Sequence, residues 1–444
     1  MKRAISQEFS FGQLLAFSVP AVAMLVVSSL YTAVDGVFIA RFVGSDALSA
    51  INIVLPLDTL ALGVGIMFGT GTSAIVGRKL GQGDAKAAEE DLTLATLAAG
   101  VLGLVISAAA LAFLEPLMRL LGASDRLLPY CLEYGRILFS SAFFTVIQVM
   151  YQSLFITAGR SRIALWLTVA SGVMNLVLDW LLIGVLGLGM TGAALGTVSG
   201  RVLGGVFPLV YFFQDRGTLR FRRPRWDPAM LLQAMGNGSS EMVSNLAVSV
   251  TTLLFNLSML ALAGEDGLAA MTIVLYAQFV YTAVSMGFAN SAAPVISYHF
   301  GSGNVRYLQR LFRHCLGAIG LITAAMLASA VVFAKPLIAL FTPPGGAVFD
   351  LALHGFLIFL WNFLFAGFNI FSSSLFTALS NGAVSALISF LRTLVFVVGS
   401  ILLLPRLLGL DGIWLAIPMA EGLTFFIAAA LVLRFGREPY HYLG

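Results

Sequence analysis

Charge is what this chain has least of. Only 10% of its 444 residues are Asp, Glu, Lys or Arg, against about a quarter in a soluble globular protein. With 59% hydrophobic residues and a mean hydropathy of +0.95, an ordinary water-facing surface is excluded and a polytopic membrane protein is expected. Cysteine is nearly absent. Cys131 and Cys315 fall near opposite membrane faces and are expected as free thiols, which excludes a disulfide framework or a thiolate metal centre. The four histidines, His299, His314, His354 and His441, lie near span ends. There is no HExxH, no Walker A loop and no Ser/His/Asp set at membrane depth, so neither enzyme chemistry nor ATP hydrolysis is indicated and no cofactor is expected. Met1 to Gln13 is short and polar with no small-residue cleavage site after the first apolar run, so no cleavable signal peptide is expected. The net charge of +4 is read as a topology signal, with no nucleic-acid partner.

What is there is long apolar runs. At about 20 residues per crossing, spans are expected at 14–40, 47–76, 92–114, 129–157, 164–185, 190–213, 230–262, 267–297, 315–334, 349–379, 385–405 and 412–434. Pro20, Pro56, Pro294 and Pro418 are candidate bends. Of 25 basic residues, 17 fall in segments that share a side with both termini, chiefly the Arg78–Lys86 loop, the 214–227 linker and Arg306 to Arg313. Five fall in the opposite loops (Arg41, Arg119, Arg126, Lys335, Arg406), and Arg136, Arg201 and Arg392 lie within spans. Both termini are therefore expected to be cytoplasmic.

The chain repeats itself at an offset of 220. VGSDALSAINIVL (43–55) aligns without gaps on AGEDGLAAMTIVL (263–275), and LGQGD (80–84) on FGSGN (300–304). SLF (153–155) meets SLF (374–376) with a small gap. The expected fold is an all-α integral membrane protein of twelve transmembrane helices, two homologous six-helix bundles related by a pseudo-two-fold along the membrane normal. The boundaries read 1–213 for the N-terminal lobe, 214–228 for a basic cytoplasmic linker and 229–444 for the C-terminal lobe. The linker's five arginines are read as a solvated connector touching anionic lipid headgroups.

Against this background the intramembrane polar residues stand out. A carboxylate at bilayer depth costs about 2.5–3.5 kcal/mol on insertion scales, so such residues usually face a polar cavity. Asp35 shares one helix face with Ser28 and Thr32. Asp58, Asp179, Glu241, Glu421 and Arg392 also lie within spans. Asn175 and Asp179 are four apart on span 5. Thr145, Gln148 and Gln152 share a face of span 4. Glu241, Asn245, Ser249, Thr252 and Asn256 share one on span 7, Gln278 lies on span 8, and Asn362, Asn369, Ser373 and Thr377 run down span 10. Single Ser, Thr and Asn residues read best as interhelical glue. The carboxylates favour function over glue, because glue needs no charge. For Asp58, facing the cleft and pairing with a buried arginine both stay open; the roles of Glu421 and Arg392 are not assigned.

The two six-helix halves, VDGVFIARFVG (34–44), GRKLGQGD (77–84) with its echo ISYHFGSGN (296–304), and NLVLDWLLIGVLGLGMTGAALGTVSG (175–200) together resemble the multidrug and toxic compound extrusion (MATE) family. The segment at 391–422 looks most like its bacterial DinF-like and MepA-like branch. The resemblance implies a secondary active antiporter that exports cationic amphiphiles in exchange for Na⁺ or H⁺ by alternating access. A monomer is sufficient for that mechanism, and the expected location is a bacterial or archaeal inner or plasma membrane, multi-pass. The resemblance carries over Asp35, Asn175, Asp179 and Thr197 as the cation-coupling set, a Na⁺ site in the N-terminal lobe. Glu241, Asn245, Gln148, Gln152, Gln278 and Asn369 are the substrate-binding candidates. Carboxylate, amide and hydroxyl oxygens suit a hard cation, and the same buried carboxylates suit H⁺. The alternative is a flippase or exporter of a lipid-linked or other amphiphilic metabolite, which calls for a more cationic cavity. A channel is disfavoured by the two-fold repeat and the lack of a filter-like segment.

Overall fold

The computed structural model describes residues 4–43, 45–214 and 219–443. Within them the side chains at 4, 32–41, 45, 46, 48 and 249 lie outside the description. Everything described is helix or short connection. The long helices are α1 (Phe11–Phe42), α2 (Ser45–Gly81), α3 (Ala85–Ala112), α4 (Leu128–Ser140 with Ala142–Thr157), α5 (Ser161–Val185) and α6 (Gly189–Phe213) in the first half. The second half holds α7 and α8 (228–263 and 265–301), α9 (Val305–Ala339), α10 (Ala347–Ala378), α11 (Gly382–Leu408) and α12 (Ala416–Arg437). Helices α7 and α8 run on from one another except at Gly264, whose φ of 64° and ψ of −155° break the helix. The two arms both return to α2, so they form a hairpin. All twelve expected spans are thus present among the described residues.

The repeat has a local cause. In both halves it is a tight stop-and-restart between helices. Gly83 (φ 84°) and Gly303 (φ 67°) occupy the left-handed region that favours glycine. One residue on, Asp84 Oδ1 accepts from Ala87 N at 2.9 Å and Asn304 Oδ1 accepts from Tyr307 N at 3.1 Å, capping α3 and α9. The echo LGQGD/FGSGN is therefore one turn built twice.

Of the helices, α4 is the sharply bent one, by 57° at Ser141, with no proline at the break. Hydroxyls take up the carbonyls the bend frees. Ser107 Oγ donates to Phe139 O, Ser140 Oγ to Ile137 O at 2.6 Å and Ser141 Oγ to Leu138 O at 2.7 Å. Pro20, Pro56 and Pro294 lie inside helices that continue through them.

The apolar core has a telling shape. At the end that carries both termini, one cluster runs through both lobes, from Ile5, Phe9, Phe68 and Phe155 to Phe288, Tyr307, Phe376 and Tyr442. At the other end it divides. Ala47, Val54, Met118, Cys131 and Met190 form a core within the first lobe, and Phe255, Met271, Phe356 and Trp414 form one within the second. The lobes are welded at one end and separate at the other. Outward-facing apolar stripes complete the picture: on α3, Leu97, Val101, Leu104 and Val105 are each more than half exposed, a surface suited to lipid and not to water. Cys131 and Cys315 are both free and buried.

Candidate functional site

Helix α6 presents glycine every fourth residue, at Gly192, Gly196, Gly200 and Gly204. This ladder lets α5 approach closely. A methyl on Gly192 would press on the Leu182 backbone, one on Gly200 on Ser171 O at 2.8 Å, and one on Gly204 on the Gln148 side chain at 2.6 Å. At Gly196 the neighbours are polar: a methyl there would overlap Asp179 Oδ1 and come within 3.4 Å of Asn175 Nδ2. Asp179 is fully buried and Asn175 is 5% exposed. Thr197 follows Gly196 on α6. Its Oγ1, like Asn175 Nδ2 and Ser171 Oγ, is buried with no hydrogen-bond partner among the described residues. Each such group costs roughly 1–3 kcal/mol. The structure therefore brings Asn175 and Asp179 together against Gly196, the residue before Thr197 on α6.

The first helix borders this pair. Gly172, one turn before Asn175 on α5, would meet the Tyr31 ring at 3.0 Å if it carried a methyl. Asp35 lies one turn beyond Tyr31 in sequence, and its side chain lies outside the described residues.

The remaining intramembrane carboxylates differ in kind. Asp58 is gripped from α6: Arg201 Nη1 and Nη2 donate to Asp58 Oδ1 and Oδ2, both at 2.7 Å, and Nη1 also donates to Thr145 Oγ1 at 3.2 Å. Of the two readings left open for Asp58, the arginine pair is the one observed. In the second lobe Arg392 Nε donates to Glu421 Oε1 at 2.7 Å, and Asn369 Nδ2 donates to Glu421 Oε2 at 2.7 Å and to Glu421 O at 2.9 Å. Asp58 and Glu421 are therefore both ion-paired between helices. Asn369 is fully buried within that network. Arg201 and Glu421 are 220 residues apart, so the same place in the repeat holds opposite charges.

Glu241 does face the lobe boundary. A small polar cavity of about 20 Å³, room for a single water, is lined by Thr70, Ser73, Ser153, Glu241, Asn290, Ser374 and Thr377, with Ala74, Ala293 and Ala378. Of the other substrate candidates, Asn245 Nδ2 bonds back to Glu241 O at 2.8 Å. Gln148 packs on Gly204, and Gln152 and Gln278 are half-buried. The polar face of α10 is largely a hydroxyl network. Ser373 Oγ lies 2.9 Å from Ser385 Oγ and 2.8 Å from Ser389 Oγ, and Ser385 Oγ lies 2.8 Å from Thr377 Oγ1 and 2.9 Å from Ser240 Oγ. Sequence reasoning missed Thr70, Ser73, Ser153, Asn290 and Ser374. The repeat could have found all but Ser73, since Thr70 and Asn290, and Ser153 and Ser374, are polar at matching places, while Ser73 faces Ala293 in the alignment.

Twelve apolar helices in two lobes around a divided core, with buried carboxylates inside them, define a polytopic membrane transporter. The model of the MatE family matches residues 20–181 and again 241–402, once in each lobe. The chain belongs to this family, the MATE transporters, and is not an enzyme. It is 24% identical over 424 residues to the multidrug export protein MepA of Staphylococcus aureus (strain MRSA252), covering 95% of this chain and 93% of that protein. It is 26% identical over the same span to the MepA protein of Staphylococcus haemolyticus. Among solved structures, a MATE transporter in complex with MaL6 superposes with a TM-score of 0.90 at 22% identity, covering 96% of each chain. An outward-facing MATE family transporter of the MOP superfamily superposes at 0.89 and 23% identity, covering 97% of this chain and 98% of that one. At these identities the superpositions speak to the fold.

Proposed function

We propose that this protein is a secondary active multidrug efflux antiporter. It exports cationic amphiphilic compounds in exchange for Na⁺ or H⁺, and both of its termini are cytoplasmic. The observation that carries the reading is the meeting of Asn175 and Asp179 at Gly196, next to Thr197 in the chain: buried carboxylate, amide and hydroxyl groups in an apolar bundle, with Asn175 Nδ2 and Thr197 Oγ1 lacking hydrogen-bond partners among the described residues. A cation or proton entering from outside meets a carboxylate there, with Asp35 on the adjoining helix as the expected partner. Its arrival changes how α1 packs on α5, where Tyr31 lies on Gly172. Drug affinity falls because drug and coupling ion favour different packings; only such differential affinity shifts an equilibrium.

Cationic cargo is supported by the charge inventory. Arg201 and Arg392, two of the basic residues within spans, are each held by a carboxylate, which leaves no arginine-lined pocket there for a pyrophosphate group. The multidrug export named for the MepA relatives points the same way.

The experiment is purified protein in liposomes loaded for ethidium transport, with Na⁺ and pH gradients imposed separately. Transport under either gradient that disappears in Asp35→Asn identifies the antiport and its ion. Wild-type transport by that mutant overturns the assignment, and no transport under either gradient redirects the search to lipid-linked cargo.

A further inference from the structure

The transport reading leaves the basic 214–227 linker unused. Of its five arginines, Arg216 lies outside the described residues. The structure divides the other four into two pairs. Leu219 is buried in the core at the end that carries both termini. Phe221 N donates to Phe212 O at 3.0 Å, and its ring packs against those of Phe212 and Tyr151, with centroids 6.1 and 6.5 Å apart. These contacts fasten the backbone to α4 and α6. Arg222 N donates to Thr93 Oγ1 at 3.0 Å, and its Nε donates to Glu89 Oε2 at 3.1 Å. Arg220 Nε lies 3.7 Å from the same carboxylate oxygen. Arg220 and Arg222 are therefore both engaged by Glu89 on α3, and residues 219–222 are fixed to the first lobe.

Beyond Arg222 the chain leaves the protein surface. Arg223, Pro224, Arg225 and Trp226 are all exposed, Trp226 at 75%. Neither Arg223 nor Arg225 makes an ion pair among the described residues. This short bridge is held at both ends. Thr93 and Glu89 hold Arg222, and Asp227 Oδ1 accepts from Met230 N at 3.0 Å to cap α7. Pro224 restricts the backbone between them. The neighbours set the level of the bridge. Phe213, at the end of α6, is 82% exposed, and Leu232, in the first turns of α7, is 69% exposed. Large apolar side chains this open suit lipid and not water, so the bridge lies at the membrane boundary. Tryptophan is enriched at that level. Guanidinium groups there meet headgroup phosphates, which they bind through paired N–H donors.

We propose that Arg223, Arg225 and Trp226 form a binding site for the headgroup of an anionic phospholipid. The two guanidinium groups take the phosphate, and the indole lies beside it at the level of the headgroups. Arg220 and Arg222 take no part, because Glu89 engages them. The site is therefore narrower than a general attraction of a basic linker for an anionic surface. A soluble polyanion would need no apolar side chains flanking the bridge, whereas a lipid makes use of Phe213 and Leu232. Binding depends on neither cargo nor coupling ion, so the site stands or falls apart from the antiport reading.

The test follows tryptophan fluorescence of the full chain in mixed micelles titrated with brominated phosphatidylglycerol or brominated phosphatidylcholine. The Trp226 signal is the difference between the unsubstituted protein and Trp226→Phe. It should be half-quenched at a mole fraction of phosphatidylglycerol about tenfold to thirtyfold below that of phosphatidylcholine, as expected for two arginines near an anionic headgroup. Arg223→Gln with Arg225→Gln should bring the two curves together. Arg434→Gln with Arg437→Gln, at two exposed basic positions on the same end of the molecule, should leave them apart. Equal half-quenching by the two lipids in the unsubstituted protein overturns the site. So does a separation that survives the loss of Arg223 and Arg225. A separation that the Arg434 and Arg437 substitutions remove to the same extent also overturns it, since any basic residue would then serve.

Discussion

In the first lobe Asp179 sits on α5 against Gly196, with the Asn175 amide close by. In the second lobe Glu421 on α12 is held by Arg392 and Asn369. Both carboxylates are buried in apolar helices, at 0% and 4% exposure. Asp179 has an amide close by, whereas Glu421 is paired with the Arg392 guanidinium. The first lobe also contains a cancelled pair, Asp58 with Arg201, so pairing is available to both halves. What distinguishes Asp179 is the company it was given. An ion pair holds helices in register, which makes Asp179, and not Glu421, the carboxylate expected to take the coupling ion under the function proposed above. Duplication supplied two copies of one scaffold, and the chemistry diverged where charge was placed.

Four substitutions break or sharpen this contrast. Asp179→Asn should abolish ion-driven ethidium transport in liposomes while the protein remains inserted and monodisperse; retained transport would erase the distinction between the lobes. Arg392→Met leaves Glu421 buried and uncompensated and should cost about 3–5 kcal/mol of stability, most of which returns in Arg392→Met with Glu421→Met, as replaced buried pairs generally do. Chemical denaturation of single and double variants measures this, and a double variant as weak as the single would mean the pair is needed for more than charge balance. Gly196→Ala, which drives a methyl onto Asp179 Oδ1, should reduce apparent ion affinity about tenfold or more with a smaller effect on folding. Thr197→Ala removes one neutral donor oxygen and should give the smallest change, about a three- to fivefold rise in the ion concentration for half-maximal transport if Na⁺ is the coupling ion, on the scale of one hydrogen bond.

Much of this was legible before any coordinates. Most span limits fall within a few residues of the helices, since twenty apolar residues in a row have few alternatives in lipid, but α3 and α9 begin seven and ten residues before the expected spans, in polar first turns that hydropathy does not mark. The repeat could be read because a helix stop, Gly83 or Gly303, and a helix cap, Asp84 or Asn304, must sit at fixed spacing to work. Asn175 and Asp179 could be placed on one face because they are four apart. The bend of α4 could not be read: it rests on hydroxyl bonds to freed carbonyls, one of them from Ser107 on a different helix, and proline was the visible signal instead. Nor could the partner of Asp58, which lies 143 residues away.

Sequence alone determined that this chain lives in a membrane, that it is built twice, and which few residues carry charge at depth, because each of these follows from composition and local spacing. Only the tertiary structure decided which charges pair, as Asp58 does with Arg201 and Glu421 with Arg392, and where the halves touch. Those outcomes depend on which helix faces meet. That is settled by close packing between segments far apart in the chain, down to whether a glycine or a methyl faces a neighbour's carbonyl oxygen.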